Sequence, residues 1–145
     1  MLFIQVDNLD FEGYLAVRPF LDAHVYVICS AKTMMAYGGR IINMLGQSVE
    51  RGFPGCAFNA GAFAFLHNLG KSINSKEGRE GRLFVCDFLL GPVETRIWNG
   101  HPTEKEEFRS KVSRFISPQE VANAVVIQAG KDILPGSYVF DTYRA

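Results

Sequence analysis

The 145-residue sequence predicts an α/β layer fold with a mostly parallel sheet of about four strands flanked by helices. Three observations carry this. Short apolar, β-branched runs alternate with longer segments of helical apolar spacing. The run LFVCDFLL over 83–90 is apolar almost without interruption, the pattern of a parallel strand covered on both faces. Ser117-Pro118-Gln119-Glu120 opens a helix with a capping residue, a proline at the first helical position and a glutamate three residues after the cap.

In chain order, LFIQV over 2–6 is a strand that stops at Asp7-Asn8. From Phe20 to Met35, Leu21, Val25, Ile28 and Met35 fall near helical spacing, and Tyr37-Gly38-Gly39 ends that helix. RIINM over 40–44 is the next strand, followed by a loop over 46–55 that turns at Gly52-Phe53-Pro54-Gly55. A helix from about Cys56 to Ile73 is apolar on nearly every side through Phe58, Ala62, Phe63, Phe65, Leu66, Leu69 and Ile73, which predicts cover all round. A charged, glycine-punctuated connector over 76–82 leads to the strand 83–90, which ends at Gly91-Pro92. Residues 101–113 are polar, helical or loose. VANAVVI continues the helix begun at Ser117, and Ser137 to Phe140 is a last strand after the Leu134-Pro135-Gly136 turn.

Composition narrows the class. With 48% hydrophobic and 21% charged residues, the chain is expected to form one soluble domain over 1–145 with a single core. Fifteen basic and fifteen acidic residues cancel, and no run of like charge reaches five, so neither nucleic acid nor an anionic membrane is an expected partner. MLFIQVDNLD lacks a basic, signal-like start, and no segment has about 18 uninterrupted apolar residues; the expected location is the cytoplasm. Cys29, Cys56 and Cys86 are odd in number, far apart and set among apolar residues, as reduced core thiols are. His24, His67 and His101 stand at no ligand spacing with one another or with a cysteine, so no metal is expected. Asp87 is the conspicuous polar residue of an apolar strand and has to find a partner, reach solvent or stay protonated.

Five stretches in order resemble the carboxyl-terminal part of the short-chain dehydrogenase/reductase family. GGRIINMLGQS at 38–48 resembles the strand leading to that family's catalytic serine, and GCAFNAGAFAF at 55–65 its Y-x-A-S-K helix. RLFVCDFLLGPVETRIW at 82–98 resembles the next strand with its P-G-x-V-x-T loop, RFISPQEVANAVV at 114–126 the R-x-x-x-P-E-E-V-A helix, and LPGSYVFD at 134–141 the closing strand. LFIQVDN resembles the L-V-N-N-A-G strand, with Asn8 kept and Leu9-Asp10 in place of Ala-Gly. The resemblance implies a partial Rossmann-like three-layer fold that begins at the family's fourth strand. The glycine-rich turn that would hold a dinucleotide pyrophosphate has no match, because no G-x-G-x-x-G occurs in the chain. No cofactor is expected on that ground, and binding of an intact NAD(P) least of all.

The resemblance also locates a vacant proton relay. The family's tyrosine moves the proton at the substrate oxygen, a lysine four residues on lowers its pKa, a serine positions that oxygen and an asparagine supports the relay. The tyrosine position is Phe58 and the lysine position Ala62; the serine position falls on Leu45 or Gly46, and the asparagine position on Phe20 or Arg18. Ser48 is the nearest hydroxyl and lies too late in sequence. Gly91, Pro92, Val93 and Thr95 keep the loop that in the family touches the nicotinamide end of the cofactor, with Leu90 replacing its first proline, or they shape a turn and nothing more.

Three readings follow as expectations. One is a truncated protein without dehydrogenase chemistry that acts by association, with itself or with a full-length short-chain dehydrogenase/reductase, through the two helices that pair subunits in that family. Another is a cyclase-, isomerase- or lyase-type enzyme, or a binding protein. It would use a vacated apolar pocket lined by Phe20, Leu45, Phe58 and Ala62 for a small hydrophobic molecule, with Asp87 or His24 as its acid or base. A degraded remnant with no selected activity is the third.

Overall fold

A computed structural model of the chain describes residues 11–31, 33, 38–53, 56–78, 80, 82–130 and 136–142. The strand expected over 2–6 and the Leu134-Pro135 turn lie outside these residues. The elements run α1 (Phe11–Ser30), β1 (Gly39–Gly46), α2 (Ala57–Ile73), β2 (Leu83–Leu90), α3 (Pro102–Lys111), α4 (Pro118–Gly130) and β3 (Gly136–Phe140). Among the described residues the sheet has three strands in the order β1-β2-β3, all parallel, with Asn43 opposite Asp87 and Asp87 opposite Ser137.

β2 has helices on both sides because its side chains alternate between two apolar layers. Leu83, Val85 and Leu89 pack with Ile41, Leu45, Ala31, Phe63 and Leu66 on the α1 and α2 side. Cys86, Phe88 and Leu90 pack with Ile116 and Val121 on the α4 side, where Phe88 stacks on Tyr138 and Phe140. Phe88, Leu89, Leu66 and Leu45 are fully sealed from solvent. Each such side chain contributes about 1.5–3 kcal/mol through burial, which fixes this strand at the centre. The three layers match the partial Rossmann-like fold that the motifs imply.

α1 departs from the sequence reading. Its expected start at Phe20 gives way to Phe11, with Glu12 in the first turn favoured by the helix dipole. Gly13 and Pro19 look like breakers in sequence, yet both lie inside the helix, where Gly13 and Val17, one turn apart, form its buried positions. Gly38 adopts φ 74° and turns the chain into β1 rather than closing α1.

α2 also differs from the expectation of cover all round. Ala62, Phe63, Leu66, His67 and Gly70 form its buried face, while Phe65 is half exposed. The helix lies close on the sheet because Gly70 has no side chain: a Cβ there would stand 2.9 Å from Val85 Cγ1 and 3.3 Å from Asp87 Oδ2. Asn74, just past α2, clamps β2 by donating from Nδ2 to the Val85 carbonyl at 2.7 Å and accepting from the Val85 amide at 2.8 Å.

The cap of α4 forms as its sequence dictates. Ser117 Oγ accepts from the Glu120 amide at 3.1 Å, and Glu120 Oε2 accepts from the Ser117 amide at 3.3 Å. Of the thiols, only Cys86 is buried; Cys29 is exposed and Cys56 half-buried, against the expectation that all three are core residues. Among the described residues no helix is long and apolar enough to cross a membrane.

Candidate functional site

The three strands end on one side of the sheet, and a cavity of about 430 Å³ opens at the carboxyl ends of β1 and β2. Parallel α/β sheets place ligands there, because the loops leaving adjacent strands diverge and leave a crevice. Gly46, Gln47 and Ser48 enter it from β1, and Leu90, Gly91 and Val93 from β2. Phe53, Phe63, Trp98 and Phe108 supply aromatic walls, with Phe53 and Phe108 centroids 6.2 Å apart and Trp98 edge-on to Phe108 at 5.6 Å. Trp98 is held by its indole N–H, which donates to the Val93 carbonyl at 2.8 Å. Among the described residues, none that line the cavity is charged.

The residues expected to line a vacated pocket lie elsewhere. Phe20, Leu45, Phe58 and Ala62 are absent from the cavity wall. Leu45 is fully buried in a cluster with Phe63, Leu66 and Leu89, and Phe20 meets Phe63 edge-on at 5.5 Å against that cluster. Ala62 is buried and Phe58 half-buried. Leu45, Phe20 and Ala62 are therefore part of the packing, and the open volume lies beyond Phe63.

Asp87 and His24 also stand apart from the cavity. Asp87 accepts from Asn43 Nδ2 at 2.8 Å and from His67 Nδ1 at 2.7 Å, all three side chains being buried. This is the partner that a carboxyl group in an apolar strand requires. His24 Nδ1 lies 2.8 Å from the Phe20 carbonyl, and its ring packs on Phe20 at 4.2 Å. His101 lies 3.4 Å from Glu104 on the surface.

Ser48, the nearest hydroxyl by sequence, lies on the cavity wall. A short 3₁₀ turn, Gln47–Val49, folds it back beside the end of β1. A Cβ on Gly46 would stand 3.4 Å from Ser48 Oγ and 3.0 Å from Phe63 Cε2. A side chain at Gly46 would press on the Phe63 ring and only touch Ser48. Trp98 and Phe108 were missed because they sit in a polar stretch with no periodic pattern.

Gly91, Pro92, Val93 and Thr95, the retained loop, all line the cavity. Gly91 is a tight crossing point, since a Cβ there would meet Thr142 Oγ1 at 2.7 Å, the Phe140 carbonyl at 3.3 Å and Gln47 Oε1 at 3.5 Å. Among the described residues, Gln47 Oε1 and Thr142 Oγ1 are buried without a hydrogen-bond partner. On that side Gly91 is packed against the protein itself, so glycine is required there by the close approach of Thr142, Phe140 and Gln47.

No protein-family model matches the chain, and no curated protein sequence matches it. Solved structures do. Angucycline C-6 ketoreductase LanV with bound NADP has a TM-score of 0.78 at 17% identity, covering 91% of this chain and 53% of that one. A short chain dehydrogenase from Bacillus anthracis scores 0.72 at 22% identity, covering 92% and 55%. A 7α-hydroxysteroid dehydrogenase complexed with NADH and 7-oxo glycochenodeoxycholic acid scores 0.62 at 19% identity, covering 75% and 46%. The chain spans about half the length of these structures. Its fold is that of the short-chain dehydrogenase/reductases, as its motifs indicate. The expectation that this chain takes no cofactor, and an intact NAD(P) least of all, is corrected: structures of the same fold are complexes with NADP and NADH.

Proposed function

We propose that this protein does not run the dehydrogenase proton relay and acts by association, pairing through α1 and α2 with a second copy or with a full-length short-chain dehydrogenase/reductase. The observation that carries the reading is the apolar surface of these helices: Tyr26 is 74% exposed, Phe11 69% and Val27 58% on α1, and Phe65 49% on α2. Water disfavours so much uncovered aromatic and aliphatic area on neighbouring helices, and a partner removes it. Phe58 and Ala62 support the non-catalytic half, since a phenyl ring has no proton to give and a methyl group no charge to tune one. The free thiols fit a reducing cytoplasm. Native mass spectrometry tests the reading. A dimer, or a complex with an added full-length relative, is the expected result, and Tyr26→Glu with Phe65→Glu shifts it to monomer. A wild-type chain that stays monomeric at tens of micromolar, alone and with the relative, contradicts it.

The cavity favours a second reading, a binding or repurposed catalytic role for a small apolar molecule. Gly91, Pro92, Val93 and Thr95 would hold the nicotinamide end of a dinucleotide there, and a bound nicotinamide supplies a hydride donor or acceptor. The chain's own contribution is to pack the ring against Pro92 and Val93 and to keep water out with Phe53, Trp98 and Phe108. Thermal-shift titrations with NADP and NADH test it: a concentration-dependent rise in Tm supports the reading, and no rise contradicts it.

A further inference from the structure

We infer that Cys56 is a covalent capture site: its thiol adds to the β-carbon of a neutral, aryl-bearing α,β-unsaturated amide seated in the cavity, while the amide N–H donates to Gln47 Oε1. The inference deepens the second reading above and rests on it. Three observations carry it.

The first is the place of the sulfur. Cys56 is half-buried and lines the cavity. Its amide donates to the Phe53 carbonyl at 3.2 Å and its carbonyl accepts from the Ala60 amide at 2.7 Å, so the backbone that carries it is fixed from both sides. The second is the field around it. Cys56 caps α2, a helix of 17 residues, and its side chain makes no capping hydrogen bond to the first turn. The positive end of a helix favours the thiolate, the form of cysteine that attacks carbon. The third is an orphaned acceptor on the same wall. Gln47 is 3% exposed, and among the described residues its Oε1 has no hydrogen-bond partner. A buried carbonyl oxygen without a donor costs free energy, and an N–H carried in by a ligand supplies the donor. Phe53, Phe63 and Trp98 give the aryl group apolar faces to pack on.

The addition balances without a co-reactant. An S–C bond forms at the β-carbon, the π pair of the double bond moves to the α-carbon, and the proton lost by the thiol returns there through solvent. Nothing is oxidised or reduced, and no group leaves.

The test incubates the reduced protein with N-phenylacrylamide and follows the label on each cysteine by peptide mass spectrometry. Exposed Cys29 reports the intrinsic reactivity of the reagent, and buried Cys86 reports unfolding. Cys56 is expected to be labelled at least about tenfold faster than Cys29, at a rate that saturates with reagent concentration. N-methyl-N-phenylacrylamide, which has no N–H, is expected to lower the Cys56-to-Cys29 ratio about three- to tenfold on the same wild-type protein. Gln47→Leu is expected to lower the ratio by as much for the N–H reagent and to leave it within about twofold for the N-methyl reagent. A ratio near one for N-phenylacrylamide, or equal ratios for the two reagents, overturns the inference. N-phenylpropanamide, the saturated counterpart, separates that result from failure of the cavity reading. Trp98 is the only tryptophan of the chain and lines the cavity, so its fluorescence reports occupancy. A saturable Trp98 response to N-phenylpropanamide with Cys56 no faster than Cys29 overturns the inference and leaves the cavity reading standing. A flat response with the same labelling overturns both.

Discussion

His67 Nδ1 donates to Asp87 Oδ2 across 2.7 Å, and both side chains are sealed between α2 and β2. Asn43 Nδ2 holds the other carboxylate oxygen at 2.8 Å. The polar group that looked in sequence like a catalytic candidate is thus the tie between a helix and two strands. Removing the carboxylate strands two buried donors at once, so Asp87→Ala is expected to cost about 3–5 kcal/mol. Asp87→Asn, which keeps one acceptor, is expected to cost less. Urea unfolding measures both, and an unchanged midpoint in Asp87→Ala contradicts the assignment.

Two glycines of α2 are expected to respond to alanine with opposite sign. Gly70→Ala places a Cβ 2.9 Å from Val85 Cγ1 and pushes α2 off the sheet, at a cost of about 1–3 kcal/mol. Gly61 is exposed and has nothing within 4 Å of its Cβ position. Gly61→Ala therefore stabilises the helix by about 0.5–1 kcal/mol. Thermal melts of the two variants should move in opposite directions from wild type.

Acid is expected to weaken the start of α4. The Arg114 guanidinium, bonded to both Glu120 oxygens at 2.6 and 2.7 Å, and after it the Ser117 amide, pull the Glu120 carboxyl down to about 2. A carboxyl group depressed in the folded state stabilises it above its ordinary value of 4.5, and this contribution fades as pH falls toward 2. The Tm gap between wild type and Glu120→Gln should be present at pH 7 and close across that window. Ser117→Ala, which removes the other half of the cap, is expected to cost about 1 kcal/mol.

Thiol chemistry is expected to separate the cysteines. Burial, and after it the charge of Asp87, pushes the Cys86 thiol up to about 11, whereas Cys29 is exposed. Iodoacetamide at pH 8 should alkylate Cys29 in the native protein and reach Cys86 only after unfolding, because the thiolate is the reactive species. Mass spectrometry of timed samples resolves the order, and early labelling of Cys86 contradicts its placement.

The sequence by itself determined the elements whose signals are local. β2 was legible to the residue as an unbroken apolar run over 83–90, and the α4 cap as Ser117 and Glu120 three apart. Both depend on residues that are neighbours in the chain. α1 was misread at its start because Gly13 and Pro19 oppose a helix locally, and tertiary contacts at Gly13 and Val17 overrule them. The cavity was not legible at all. Its walls come from five separate segments, and whether space stays open between them depends on packing density rather than on residue type. Phe20, Leu45 and Phe63 pack together, while the cavity opens at the carboxyl ends of β1 and β2. Only the tertiary structure decided where the room lies, because volume is shared among side chains that are far apart in the chain.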